Sequence, residues 1–374
     1  MRILALSTSP DRPEAAIFAG LHRMGAYVHV VGNPGPEYRK TLEEAGVPIT
    51  EFSFRHRFDF AGMRLLRKLT RTHNIDVVYA LTNRSLSAAV IGLWNRPVSI
   101  ATYRGTVGHL SWFDPSCWFT YLNPRVKKIL CVSNAVEGYL TSIGIPHERT
   151  TTIYKGHDTT WYEAQPLTRA EFSIPDDAFV VGCTAVMRAV KGIDDLLDAA
   201  ERLLPTHPKL HLLLVGPIKD PDIQRRIDAF PDRSRIHCTG FREDAIRFAR
   251  MADVVVMASK NREGFPKSIV EAMSQGVPAI VTAVGGMPEL VGHGAAGVMV
   301  EPMNPQSIAT AIDALYNDSA LRNRLGKAGQ ERISTTFNIQ ETVTKMYTLF
   351  SELSSQVHQQ QHARTNSSQT GCPQ

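Results

Sequence analysis

The chain has 374 residues, 43% hydrophobic and 21% charged, with a formal net charge of +5. That length suits two globular domains at about 150 residues each, and the composition excludes a disordered or fibrous chain. The mild positive excess suits an anionic ligand or membrane surface but is too weak to argue for nucleic acid. No run of about 18 apolar residues is present to span a membrane, and MRILALSTSP reads as a strand rather than a secretory signal. The five cysteines, Cys117, Cys131, Cys183, Cys238 and Cys372, show no paired spacing. They are expected to be reduced core residues of a cytosolic protein, not a disulfide or zinc set.

In chain order, strands and helices alternate. Residues 1–7 predict a strand, 13–23 a helix with Ala15, Ile17, Phe18 and Leu21 on its apolar side, and 27–31 a second strand. A short helix over 38–45 and a strand over 48–52 follow. Then come helix 60–72, strand 76–80, helix 85–93 and strand 98–103. Residues 105–122 are irregular and aromatic, with Trp112, Phe113, Trp118, Phe119 and Tyr121. Strand 128–133 leads into helix 134–143, which Ser133 can cap, and 151–154 ends this half. From Lys155 to Asp177 there is no clear period, and Pro166 and Pro175 interrupt it; the linker is placed at 157–177.

The second half restarts the pattern. Strand 179–183, helix 192–204, strand 210–215, helix 222–230 and strand 235–238 precede a helix over 244–251. Strand 252–257 (ADVVVM) then opens a strand–loop–helix–strand unit. Pro266 suits a first helical turn, Ile269, Val270 and Met273 recur at helical spacing, Gly276 ends the helix, and 278–281 begins the next strand. Strand 296–300 and helices 305–317, 319–335 and 339–353 close the series, and the polar stretch 354–374 is expected to be disordered. The alternation implies two α/β domains, each a doubly wound parallel sheet covered on both faces, with a ligand cleft between them.

Two clusters can carry chemistry. Glu263 lies just before the helix opened by Pro266, and Glu271 lies in its early turns with a side chain tilted back toward the N-terminus. A positive helix end flanked by two acids suits a ligand with both phosphate and hydroxyl groups, such as a sugar nucleotide. Arg188 and Lys191 sit between strand 179–183 and helix 192–204, an arrangement that fits phosphate. The plain alternatives are a solvated basic loop for the cations, a surface pair for Glu271 and a helix-dipole charge for Glu263.

Arg188–Lys191, the run EGFPKSIVE from Glu263 to Glu271, and GGMPE from Gly285 to Glu289 resemble the retaining nucleotide-sugar glycosyltransferases of family 4, the glycosyl transferases group 1. The resemblance is strong over most of the second half and looser in the first, where CVSNAVEGYL and TIYKGHD carry it. It implies the GT-B fold: two Rossmann-like doubly wound domains facing across a cleft. Residues 1–156 would be the acceptor domain and 178–353 the donor domain, with the last helix packing back on the N-terminal domain. Arg188 and Lys191 match the pair that steadies the departing diphosphate, a role that needs no metal. Glu263 matches the glutamate beside the transferred sugar, and Glu271 the one that holds the ribose. Gly264, Phe265, Pro266 and Lys267 would bring backbone N–H groups to the donor, and Gly240 and Phe241 would lie beside the base.

The first half departs from the family in two places. The loop after the first strand, Ser7–Arg12, has no glycine, and Arg104 stands where many relatives have a histidine, with His109 five residues on. An arginine there could hold a phosphate or acidic group, and His109 could still reach the sugar; a loop histidine bonded to backbone is the plain alternative. Helix 60–72 carries Arg64, Arg67, Lys68 and Arg71 on one side, which suits either an anionic membrane face or an ordinary solvated surface.

The resemblance therefore implies a cytoplasmic, metal-independent, retaining hexosyltransferase without cofactor, docking at the inner membrane face if the basic helix binds there. Its partners would be a nucleotide-diphosphate sugar donor and a glycan or glycolipid acceptor, with lipopolysaccharide or other cell-envelope biosynthesis as the setting. The alternatives are a phosphorylase or sugar-nucleotide epimerase on the same fold, or a two-domain sugar-binding protein without chemistry.

Overall fold

A computed structural model describes residues 1–163, 165 and 167–369, the side chains of 364–369 excepted. Two compact units divide the chain: Met1–Gly156 with Ile339–Gln374, and His157–Asn338.

The first unit is built on strands β1 (Arg2–Leu6), β2 (Tyr27–Val31), β3 (Ile49–Thr50), β4 (Val77–Ala80), β5 (Ser99–Arg104), β6 (Val126–Cys131) and β7 (Thr150–Thr152). They pair in parallel in the order β3-β2-β1-β4-β5-β6-β7. Helices α1 (Arg12–Arg23), α2 (Pro36–Glu44), α3 (Phe60–Thr72), α4 (Asn83–Gly92), α5 (Pro115–Trp118) and α6 (Asn134–Ser142) make the connections. Both faces of the central strands are covered, which is why β1 and β4 read as unbroken apolar runs rather than alternating ones. Local chemistry sets the helix starts. Asp11 accepts the Glu14 N–H at 3.0 Å with Pro13 in the first turn of α1, and Thr82 and Ser85 form a reciprocal capping box on α4.

The second unit repeats the plan with β8 (Phe179–Thr184), α7 (Ile193–Leu203), β9 (Leu210–Val215), α8 (Pro221–Asp228), β10 (Ile236–Gly240), β11 (Val254–Met257), α9 (Lys267–Ser274), β12 (Ala279–Thr282), α10 (Met287–Leu290), β13 (Val298–Val300), α11 (Pro305–Asn317) and α12 (Ser319–Thr335). Its sheet runs β10-β9-β8-β11-β12-β13, again with parallel pairing. Val181, Leu212, Leu214, Val254, Val256 and Ile280 from the strands meet Leu196, Ile308 and Ile312 from the helices in one core.

The final helix, α13 (Ile339–Gln369), returns to the first unit and packs on α1. The approach is close: a Cβ at Gly20 would stand 2.8 Å from Val343 Cγ2. Beyond Leu353 the helix does not dissolve as its polarity predicts. Ser354 donates to Asp76 at 2.9 Å, His358 Nε2 lies 2.9 Å from the other Asp76 oxygen, and Val357 is buried. Through His358 disorder is thus the wrong reading, because Asp76, just before β4, gives Ser354 and His358 partners within the fold; the helix runs on to Gln369, and residues 370–374 lie outside the described residues.

Three more expectations change. The stretch expected to link the domains carries two 3₁₀ turns, Thr159–Tyr162 and Arg169–Phe172, and belongs to the second unit. Tyr162 is buried, Phe172 meets Phe248 at 4.9 Å, and Arg169 pairs with Asp253 at 2.9 Å. The helix expected over 244–251 is a 3₁₀ helix, Ala245–Met251. Cys117, Cys131 and Cys183 are buried free thiols, and burial pushes Cys131 and Cys183 up to about 12. Cys238, expected in the core, is exposed on the edge strand β10, and Cys372 lies outside the described residues.

Candidate active site

Doubly wound sheets bind ligands beyond the carboxyl ends of their strands, where the strand order reverses. In the second unit that point lies between β8 and β11. The chain leaving β8 makes a 3₁₀ turn, Ala189–Lys191, and enters α7 through Gly192 at φ 64°. A Cβ there would stand 2.0 Å from the Ala258 carbonyl oxygen, so only glycine lets this turn lie on the end of β11. Lys191 is thereby aimed across the switch point: its Nζ is 2.6 Å from Glu263 Oε2. Ser259, buried at the end of β11, donates to the same oxygen at 2.8 Å. Arg188 is exposed and makes no salt bridge among the described residues, so its charge is open to an incoming anion.

The Glu263 main chain is held from behind. Gly286 N–H donates to the Glu263 carbonyl at 3.2 Å, and Gly285 sits at φ 56° with its α-carbon against the same group. A Cβ at Gly285 would stand 1.6 Å from that oxygen. Gly285→Ala should therefore move the Glu263 loop and destabilise the second unit by about 2 kcal/mol or more, combining left-handed strain with a backbone collision. Urea melts would show it. Gly138→Ala, in α6 with nothing within 4 Å, is the clash-free comparison and should if anything stabilise through helix propensity; a Gly285→Ala midpoint at or above wild type would remove the argument.

Glu271 lies in the second turn of α9 with Lys267 Nζ 3.3 Å away. Gly264 and Pro266 are buried at the start of that helix, and Phe265 packs edge-on against Phe337 at 4.8 Å. At the carboxyl end of β10, Gly240 takes φ 66° and accepts from Gly216 N–H at 2.9 Å, and Phe241 leaves its ring 72% exposed. A second lysine stands here that no sequence motif marks. Lys260 reaches Asp194 at 2.5 Å at the start of α7; burial works against its charge, but that partner and Asp195 hold its pKa above the usual lysine value. Lys260 is thus committed to Asp194 and Asp195, Lys191 to Glu263, and Arg188 makes no ion pair among the described residues.

The first unit has its own switch point, between β1 and β4, and it too holds a lysine between carboxylates. Lys155 Nζ is 2.8 Å from Asp11 and 2.9 Å from Glu14, and Ser7 donates to the other Glu14 oxygen at 2.6 Å. Burial opposes the Lys155 charge, but the two acids outweigh it and hold its pKa well above the usual lysine value. The loop Ser7–Arg12 is thus occupied by internal bonds, with the Ser7 carbonyl only 1.7 Å from where a Cβ on Gly32 would be. Arg104 does not offer the open cation expected of it. Its guanidinium is buried over the Tyr121 ring at 4.9 Å and donates to Thr106 O at 3.0 Å and to Gly108 O. These bonds shape the loop in which His109 is exposed at φ 64°. Among the described residues no group of three His, Cys, Asp or Glu side chains is placed to hold a metal.

Two family models match the chain: Glycosyltransferase Family 4 over residues 16–161 and Glycosyl transferases group 1 over residues 164–332. The chain belongs to this glycosyltransferase family. It is 24% identical over 311 residues to the N-acetyl-alpha-D-glucosaminyl L-malate synthase of Bacillus anthracis, covering 78% of this chain and 79% of that one. With the lipopolysaccharide core biosynthesis glycosyltransferase LpsD of Rhizobium meliloti it shares 25% over 330 residues, covering 87% and 90%. The crystal structure of Anabaena HepE in complex with UDP superposes with a TM-score of 0.79 at 23% identity, covering 94% of this chain and all of that one, a likeness that shows the fold. The GT-B glycosyltransferase fold therefore accounts for both sheets. No helix among the described residues is long and apolar enough to cross a membrane.

Proposed function

We propose that this glycosyltransferase retains the anomeric configuration and moves a hexosyl group from a nucleoside-diphosphate sugar to a hydroxyl of a glycan or glycolipid. The observation that carries the reading is the Lys191–Glu263 contact of 2.6 Å at the switch point, with the open guanidinium of Arg188 three residues away. Arg188 and Lys191 face the diphosphate and offset the charge that grows on it as the sugar leaves. Glu263 stands beside the sugar, and Glu271 accepts hydrogen bonds from the ribose hydroxyls. Gly264, Phe265 and Lys267 turn backbone N–H groups toward the donor at the α9 terminus, where Pro266, which has no N–H, sets the first turn, and Gly240 and Phe241 lie beside the base.

In the transfer, the bond between the anomeric carbon and the diphosphate oxygen breaks, and its electron pair stays on that oxygen. The acceptor oxygen bonds to the same face of the carbon, and its proton passes to the departing diphosphate. No separate side-chain base is required. The names of relatives acting on lipopolysaccharide core support an envelope glycan or glycolipid as the acceptor.

UDP is the first probe, since HepE was crystallised with it. A ligand that binds only the folded state at 100 times its Kd stabilises by about 2.7 kcal/mol. UDP or another nucleoside diphosphate should raise Tm accordingly, and Glu271→Ala should abolish the rise. A full shift in the Glu271→Ala protein would overturn the assignment of the ribose site.

A further inference from the structure

Apart from Trp94, which lies beside Arg96 and Arg125, the strongly exposed aromatic side chains of the first unit are not scattered. Among the described residues, Phe58, Phe60, Trp112, Phe113, Trp118 and Phe119 project from two segments that meet where the Phe58 and Phe119 rings lie 5.3 Å apart, edge to face. Phe60 is 78% exposed and Phe113 97%. These rings are presented rather than loosely placed. Trp112 and Trp118 pack edge to face at 5.3 Å; Trp118 Nε1 donates to the Trp112 carbonyl at 2.9 Å and Trp112 Nε1 to the Ile143 carbonyl. Both indole N–H groups are satisfied while both rings still face outward.

Beside them runs the outer stripe of α3. Gly62, Met63, Leu66, Leu69 and Thr70 are its buried side. Phe60, Arg64, Arg67, Lys68 and Arg71 fall on the opposite side, within about 100° of one another at the helical repeat. The helix contains no acidic residue. Arg67 is tied to the Gly92 carbonyl, but Arg55, Arg57, Arg64, Lys68 and Arg71 make no salt bridge among the described residues. The two carboxylates adjoining the rings in sequence are committed to caps: Asp59 accepts from Arg55 N–H at 3.0 Å and Gly62 N–H at 2.9 Å, and Asp114 from Ser116 N–H and Oγ at 2.8 Å each.

We propose that this face of the first unit docks on an anionic lipid bilayer. Aromatic rings with satisfied polar tips favour the level of the headgroups, and unpaired arginine and lysine beside them are drawn to anionic lipid. The charge balance argues against a second copy of the chain, which would oppose one cationic stripe to another. Any acceptor carried in that bilayer would be presented to the same unit. The proposal does not rest on the nucleotide reading of the second unit.

The full-length protein should sediment with phosphatidylcholine vesicles containing phosphatidylglycerol, not with phosphatidylcholine alone, and high salt should release it. Phe113→Ser, and separately the double variant Arg64→Glu/Lys68→Glu, should each lower partitioning about tenfold or more. All these side chains are exposed, so the variants should keep the wild-type melting temperature and the nucleotide-induced shift. Absence of sedimentation with the anionic vesicles, equal binding to both vesicle types, or partitioning unchanged in both variants would overturn the proposal. So would a dimer that Phe113→Ser dissociates in the absence of lipid binding.

Discussion

Lys191→Ala should lower kcat by about 10²–10³, the cost of removing one preorganised charge from where negative charge develops. The effect should fall on kcat more than on KM, because the ammonium does most for the departing diphosphate. Glu263→Gln should also be strongly impaired, but the double variant should lose less than the sum. The two groups touch at 2.6 Å, and each single variant leaves the other unbalanced. Turnover of a nucleotide sugar by all four proteins measures this. Fully additive losses, or a Lys191→Ala enzyme within threefold of wild type, would separate the pair from the chemistry.

The largest stability loss is expected in the first unit, from Lys155→Met. Removing the cation leaves Glu14 and Asp11 facing each other without a counter-charge, and breaking a buried ion pair from one side costs about 3–5 kcal/mol. Most of that belongs to Glu14, whose side chain is 15% exposed, since Asp11 at 39% is partly screened by water. The raised pKa of Lys155 means its contribution is fully present below the unfolded lysine value and is lost only as pH climbs through the folded one. Wild-type stability from this source is therefore flat through neutral pH. Tryptophan emission suits the measurement, because Trp94, Trp112 and Trp118 lie in the first unit and Trp161 in the second. A loss under about 1 kcal/mol would mean the network is not what holds α1 to the sheet.

These two lysines also mark how far the sequence could be read. Lys191 sits in a turn between an apolar strand and an amphipathic helix, so local pattern alone places it at a strand's carboxyl end. Lys155 sits where the strand pattern fails, and its partners lie 144 and 141 residues away, at Asp11 and Glu14. No local signal can report such a contact. Arg104 shows the converse: its place at the carboxyl end of β5 was legible, but whether its charge faces outward depends on the Thr106 and Gly108 carbonyls curling back around it. The alternation of strands and helices was legible because parallel strands covered on both faces must be apolar throughout. The last turns of α13 were not, because Ser354 and His358 look like solvated residues until Asp76 is placed beside them.

The return of α13 to the first unit has a consequence for biosynthesis. The second unit, His157–Asn338, is continuous in sequence and can close on itself as soon as it leaves the ribosome. The first unit cannot: Ile17, Phe18 and Leu21 are made before the second unit, and the helix that packs on α1 is made after it. At roughly 5–20 residues per second, the stretch between them delays that helix by roughly 15 to 65 seconds. During that interval the strands of the first sheet are all made, but the α1 surface that α13 covers is open to chaperones and to other nascent chains. The order in which the chain is made, more than its final stability, sets its exposure to misassembly in the cell.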